Sequence, residues 1–466
     1  MRHGNPAFAA CVLLTLIVSV PAHADDAASL RAELEAVKAD YSARMKALEE
    51  RIAQLETQAA ATAAVNEAPP PPEPTPSPPA SGGSNPLAAF NPAMSVILSG
   101  TYTDLDQDPA TYHIAGFIPA GDETGPGERG FSLGESELTL TANVDPYFYG
   151  NVTAAITGNN EIAIEEAFFR TTALHDGFTL KGGRFFSGLG YVNEVHAHAW
   201  DFVDQPLAYQ AFLGGQYAEN GLQLKWLAPT DLFLEFGVEG GSGERFPGTR
   251  LDANGLNAFV AFTHAGYDIG DSASWRAGLS YMTQRADDRR FDTSDALGTP
   301  VVDSFTGSSH LWAADFVYKW APHGNSTDHY LKIQGEYLHR TESGDLTFDA
   351  DDLALTDGYH SSQWGAYLQT VYQFRPRWRA GLRYDYLDSG DPTIGLVDSG
   401  LVAPGEFPDL LSATPTRLTF MLDWSPSEFS RMRAQYAWDD ARDSSRDGQF
   451  FLQYLYSLGA HGAHKY

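Results

Sequence analysis

From Asn91 almost to its last residue the chain alternates apolar and polar side chains with period two, and no other feature narrows its possible folds so far. Met94, Val96, Leu98, Gly100 and Tyr102 alternate with Ser95, Ile97, Ser99 and Thr101, and Trp364, Ala366, Leu368, Thr370, Tyr372 and Phe374 with Gly365, Tyr367, Gln369, Val371 and Gln373. Successive side chains of a strand point to opposite faces, so the pattern predicts strands with one apolar and one polar face. Sixteen such segments are predicted, near 94–104, 132–144, 148–157, 161–172, 178–186, 216–227, 232–240, 255–267, 274–284, 309–320, 329–340, 362–374, 378–388, 415–424, 430–439 and 448–459.

The connections say what kind of sheet these strands make. Apart from the brief Gly158-Asn159-Asn160 link, those after odd-numbered strands are long or medium (105–131, 187–215, 241–254, 285–308, 341–361, 389–414 and 440–447). Those after even-numbered strands are tight, such as Asp145-Pro146-Tyr147 and Arg375-Pro376-Arg377. Long loops at one end and short turns at the other are the layout of an up-and-down outer-membrane β-barrel. A soluble sandwich would need Greek-key crossings and fewer strands per domain.

A barrel spans hydrocarbon because closure leaves no unpaired backbone edge. Its outward face is expected to carry Trp226, Trp275, Trp320, Trp364, Trp378, Trp424, Trp438, Tyr384, Tyr386, Tyr436, Tyr454 and Tyr456, aromatics suited to two interfacial girdles. Sixteen strands are wide enough for an aqueous bore. The mean hydropathy of −0.28 fits a wall with one watered face. With 30 basic against 60 acidic residues the net charge is −30, which excludes the cationic face that nucleic acid requires.

Ahead of the barrel, residues 1–24 read as a signal peptide, with an apolar stretch from Ala7 to Val20 and the small-x-small site Ala22-His23-Ala24. The single cysteine, Cys11, falls inside it, so the mature chain is expected to lack disulfides and thiolate metal sites. Residues 25–66 are predicted to hold a short coiled-coil helix, with Leu30, Leu34, Val37, Tyr41, Met45, Leu48, Ile52 and Leu55 forming its seam. Residues 67–90, rich in Pro, Gly and Ser, form a linker, and 91–466 the barrel. An even strand number places this helix in the periplasm.

The polar parity puts Glu137, Lys225, Glu235, Asp315, Lys332, Arg379, Arg383, Arg417, Arg431 and Arg433 in the bore. The five arginines of the last four strands would form a basic ladder favouring anions, or would pair with acids and stabilise the wall. The loop 187–215 is the leading candidate to fold into the bore. Within it His196 and His198, with Glu194 and Asp201, offer nitrogen and oxygen ligands for a divalent metal such as zinc; otherwise no cofactor is expected. Neither a phosphate loop nor a His-Glu-x-x-His motif is present, and no enzyme activity is expected.

The strand count, Leu180-Lys-Gly-Gly-Arg-Phe185 leading into the long loop, and the aromatic last strand from Phe450 to Leu458 resemble the porins of Gram-negative bacteria, more narrowly the phosphate-selective porin-like barrels. Gly130-Phe-Ser-Leu-Gly-Glu-Ser-Glu-Leu138 and His198-Ala-Trp-Asp-Phe-Val-Asp-Gln-Pro206 are also similar to barrels labelled zinc-regulated or TonB-dependent receptors. The first resemblance implies an outer-membrane channel passing small hydrophilic solutes or ions passively, a homotrimer in contact with outer-membrane lipid and lipopolysaccharide. A metal-uptake receptor is the alternative, though neither a plug nor an energy-coupling box is evident. A structural barrel tethering the envelope is the third reading.

Overall fold

The computed structural model describes residues 92–459, except 122–123, 157–160, 250–253 and 443–444, together with Lys46. The expected signal peptide, coiled coil and linker therefore lie outside the described residues, Lys46 aside, as does the tail after Gly459. No helix among the described residues is long and apolar enough to cross a membrane.

The alternating segments become sixteen long antiparallel strands: β1 (Ala93–Leu105), β2 (Ser136–Asn143, continued outward by Gly130–Leu133), β3 (Phe148–Ile156), β4 (Ile162–Thr171), β5 (Phe178–Phe186), β6 (Ala218–Leu227), β7 (Phe233–Gly241), β8 (Ala258–Ile269), β9 (Ala273–Ser294), β10 (Pro300–Trp320), β11 (Tyr330–Phe348), β12 (Leu355–Arg375), β13 (Trp378–Asp388), β14 (Thr416–Ser427), β15 (Ser430–Asp440) and β16 (Asp447–Gly459). Each pairs with the next, and β1 pairs back onto β16, from Ser95 opposite Gly459 to Leu105 opposite Gln449. The barrel is thus closed.

Its burial is inverted relative to a soluble protein. Glu137, Glu239, Asp315, Glu336, Arg383, Asp385, Arg417, Asp423 and Arg433 are at most 5% exposed, whereas Leu368, Leu382, Phe420, Trp438 and Tyr454 are 40–59% exposed. Only hydrocarbon outside makes that distribution favourable. Aromatic rings mark both rims: Trp378 stacks on Trp424 at 5.8 Å at the short-turn end, and Trp364 meets Tyr386 at 5.2 Å at the other. Tyr386 and Trp378 lie eight residues apart on β13, as do Trp364 and Tyr372 on β12. Eight residues are about 27 Å of strand, the scale of the roughly 25 Å apolar band between girdles. Leu382 lies midway, paired with Thr370 and Phe420. Leu382→Arg is accordingly expected to cost about 2–4 kcal/mol, read as a lowered urea midpoint for barrel unfolding in vesicles; an unchanged midpoint would place this face in water.

Strands β9 to β12 are longer than expected. The connections read as loops at 285–308 and 341–361 are mostly strand, leaving turns at 295–299 and 349–354. In Arg285-Ala-Asp-Asp-Arg-Arg-Phe-Asp292 both faces carry charge, because the outward side here meets water and not lipid. The inward side supplies Phe291, Phe305, Leu346, Phe348 and Tyr359, which pack on Leu396, Phe407 and Leu410 of the connection between β13 and β14. That connection also adds a two-residue strand, Thr393–Ile394, against β12.

A second apolar cluster lies inside the barrel. It joins Leu189, Val192 and helix α1 (Leu207–Leu213) of the connection between β5 and β6 to Ile114 and Phe117 of the first loop and to Val260, Met282, Leu311 and Leu338 of the wall. All seven residues of α1 are buried.

Candidate functional site

The segment 187–217 enters the bore as soon as β5 ends. Its two stems are clasped by Asn193, which donates from Nδ2 to the carbonyls of Ser187 and Tyr217 (both 2.9 Å) and accepts from the Tyr217 amide (2.7 Å). Beyond the clasp, Glu336 of β11 accepts four hydrogen bonds: from the amides of Tyr191 (3.0 Å) and Val192 (3.1 Å), from Tyr209 Oη (2.8 Å) and from Tyr367 Oη (2.7 Å). Gly190 makes this approach possible, since its φ of +68° is left-handed and a Cβ there would collide with Glu336 and Tyr209. Asp385 of β13 caps α1 by accepting from the Leu207 amide at 3.0 Å, a carboxylate at the positive end of the helix. Gly214, at φ +66°, ends α1 by donating to the Gln210 carbonyl.

All five arginines of the basic ladder face the bore, and each donates to this loop. Arg379 reaches Asp201 (3.0 Å), Arg383 and Arg417 reach Asp204 (3.0 and 2.7 Å), Arg431 donates to the His198 carbonyl (2.6 Å) and Arg433 to that of Trp200 (2.8 Å). Lys332 joins them on Asp201 at 2.9 Å. Wall carboxylates complete the network: Asp423 pairs with Arg379 and Arg433, and Asp385 with Arg383. Burial works against the charge of Asp201 and Asp204. Lys332 and Arg379 on the former, and Arg383 and Arg417 on the latter, more than offset it and hold both carboxyls below the usual aspartate range. The ladder expected to line open water is a dock for the loop. Two acids on the loop, unplaced by strand parity, account for the difference.

Space remains on the other side of the loop. One cavity of about 440 Å³ is lined by Glu137, Tyr149, Glu166, Arg170, His196 and His198 among others, and another of about 520 Å³ by Lys225, Glu235, His264 and Arg276. Arg170, Lys181, Glu194 and Val195 border both. Lys225 pairs with Glu235 at 2.8 Å and lies 3.9 Å from Glu194, and Asp315 lies 3.8 Å from Arg276.

The ligand set expected for a metal is divided. Glu194 turns to Lys225 and Asp201 to the arginine dock, so neither joins the histidines. His196 and His198 instead stack 5.7 Å apart and meet carboxylates of β2 and β4. His196 Nδ1 lies 3.4 Å from Glu137 and 3.3 Å from Glu165, its Nε2 lies 3.1 Å from Glu166, and His198 Nδ1 lies 2.7 Å from Glu137. Burial disfavours a charged His196, yet Glu137, Glu165 and Glu166 overcome it and raise its pKa well above the usual imidazole value. The neighbours Glu165 and Glu166 both reach the loop because the β3–β4 pairing slips between Thr153 and Ala154. Adjacent acids in the otherwise apolar run Ile162-Ala-Ile-Glu-Glu-Ala-Phe-Phe169 were the available sequence signal.

The chain is 31% identical over 405 residues to an uncharacterized protein of Aquifex aeolicus (strain VF5), covering 81% of this chain and 80% of that protein. Among solved structures it is similar to an outer membrane protein of Vibrio cholerae, OmpT lacking loop L8 (TM-score 0.49, 11% identity, 79% of this chain and 99% of that one). It is also similar to Pseudomonas putida OprB at high pH (TM-score 0.48, 14% identity, 81% and 96%) and to the outer membrane channel DcaP of Acinetobacter baumannii (TM-score 0.48, 12% identity, 79% and 97%). The profile of the beta-barrel porin-2, OmpL-like family matches residues 137–454, which is more than half of the chain and runs from β2 into β16. A closed sixteen-strand barrel with its polar face inward and a match of that extent place this protein in the beta-barrel porin-2 family, as an outer-membrane porin-like barrel.

Proposed function

We propose that the protein passes small hydrophilic solutes or ions passively across the outer membrane, through a bore narrowed by the loop 187–217. The observation that carries this reading is the docking of that loop onto all five arginines and Glu336 of the inner wall, with two polar cavities left between the loop and strands β1 to β9. With the arginines engaged, charge preference falls to the residues around the two cavities. There four cations, Arg170, Lys181, Lys225 and Arg276, face four carboxylates, Glu137, Glu166, Glu194 and Glu235. Such a balanced lining discriminates weakly between ions, so the anion preference expected from a free basic ladder gives way to weak selectivity.

Planar-bilayer recording tests both parts. Stepwise currents are expected, with a reversal potential near zero in a potassium chloride gradient. Silence in the bilayer would remove the channel reading and favour a receptor or a tethering barrel; a strongly anionic reversal potential would restore the ladder as the selectivity element. Trimeric assembly, suggested by the heptad seam at 30–55, is expected to appear as current steps in groups of three and as a threefold mass in native mass spectrometry.

A further inference from the structure

Where the loop leaves the arginine dock, His196 and His198 are set against Glu135, Glu137, Glu165 and Glu166, four carboxylates and two imidazoles in one spot. Lys181 adds one nearby cation, beside Glu166. Burial and the adjoining Glu165 raise the Glu135 carboxyl well above the usual range, so these two acids share a proton, and the group is balanced by protons on its acids and imidazoles together with Lys181. A divalent ion would balance the same carboxylates in place of those protons.

The geometry is that of a ligand set. Glu137, Glu165 and His196 each present one donor atom, and the three atoms lie within 4.8 Å of one another. His196 Nδ1 is 3.4 Å from Glu137 Oε2 and 3.3 Å from Glu165 Oε2. Ligands about 2.1 Å from a tetrahedral ion sit roughly 3.4 Å apart along the tetrahedron's edges. Both His196 Nδ1 and Glu165 Oε2 are shut off from solvent, and although they lie 3.3 Å apart neither is aligned in a hydrogen bond. The surrounding contacts orient these atoms: Glu166 engages the opposite ring nitrogen of His196 at 3.1 Å, and His198 holds the other oxygen of Glu137 at 2.7 Å. A carboxylate behind a histidine and an imidazole behind a carboxylate are the supports that metal ligands use.

We propose that His196 Nδ1, Glu137 and Glu165 bind one divalent first-row transition-metal ion, with a fourth position open to the neighbouring cavity. Nitrogen and oxygen donors without sulfur suit zinc, cobalt or manganese. Because His196 belongs to the loop while Glu137 and Glu165 belong to β2 and β4, the ion clasps the loop to the wall opposite the arginine dock. This regulatory role rests on the reading of the loop as the element that narrows the bore; the binding itself does not.

The test is a Co2+ titration of the full-length chain refolded in detergent, followed by visible absorption, with Zn2+ heats measured alongside. One ion per chain is expected, with affinity falling at least tenfold in His196→Gln and in Glu165→Gln. His198→Gln, which removes only support for Glu137, is expected to weaken binding about 10- to 100-fold; His175→Gln, in a remote turn, is expected to change nothing. No cobalt band and no zinc heat, or binding undiminished by His196→Gln, would overturn the proposal. Should the variants fail to fold, zinc-edge absorption of the unaltered chain decides: one imidazole among oxygen ligands supports the site, and two or more imidazoles refute it. The cobalt band needs no current, so full binding in a silent bilayer would sink the channel reading alone, and a conducting chain that binds no cobalt would sink the metal site alone.

Discussion

Asp204→Ala is expected to raise single-channel conductance severalfold, the largest change that any one substitution in the loop should produce. Asp204 accepts from Arg383, Arg417 and Gln435, and removing it leaves two guanidinium groups facing a gap inside the barrel. Stranding a buried charge costs about 3–5 kcal/mol; the lower end applies here, because Asp385 still holds Arg383 at 3.0 Å. The least costly response is for the loop to lift away and let water reach the arginines, which widens the bore. Asp201→Ala is expected to act in the same direction and less than additively, since the two acids anchor the same short stretch of the loop, Asp201 to Lys332 and Arg379 and Asp204 to Arg383 and Arg417. Both carboxyls are held below the usual aspartate range by their cationic partners. Their contribution is therefore complete above the unfolded value of about 3.9 and is lost only as pH falls through the lower folded value. Conductance governed by this dock is expected to be flat from about pH 8 to about pH 4 and to rise only below about pH 3. A steep rise near pH 6 would show that some other group holds the loop.

Glu336→Ala is expected to free the other half of the loop. It strands two amides and two phenol hydroxyls, at about 1–3 kcal/mol for each donor left without a partner. Limited proteolysis is expected to cut within 187–217 in this variant while sparing the parent protein. Glu336→Gln keeps one acceptor oxygen but turns an amide toward donors, so an intermediate effect is expected. Resistance of Glu336→Ala equal to that of the parent would mean that the apolar packing of α1 holds the loop without this carboxylate.

The wall was legible in the sequence because lipid outside and polar contacts inside impose a strict period of two. Trp378 to Asp388 was bounded to the residue, the sixteen strands followed from counting the alternating segments, and the up-and-down layout from the alternation of long and short connections. That legibility ended where lipid ended: Arg285 to Asp292 has water on its outward face, so its alternation does not show. Parity likewise placed the five arginines inward but could not say what they meet, since Asp201 and Asp204 lie in an irregular segment with no period. The carboxylates around His196 escaped for a further reason. Strand alternation sends neighbouring residues to opposite faces, and only the register slip at Thr153 brings Glu165 and Glu166 to the same side.

The central claim is that the segment 187–217 lies inside the bore, held there by the inner wall. Ala208, on α1, is fully buried against β12, and Glu428 is exposed in the turn between β14 and β15. The most direct measurement is the rate at which a membrane-impermeant thiol reagent modifies Ala208→Cys in the otherwise native barrel, with Glu428→Cys as the exposed reference. Protection of position 208, lost when Asp204→Ala or Glu336→Ala is added, is the expected result; modification of Ala208→Cys as fast as Glu428→Cys would place the loop outside the bore and contradict the account.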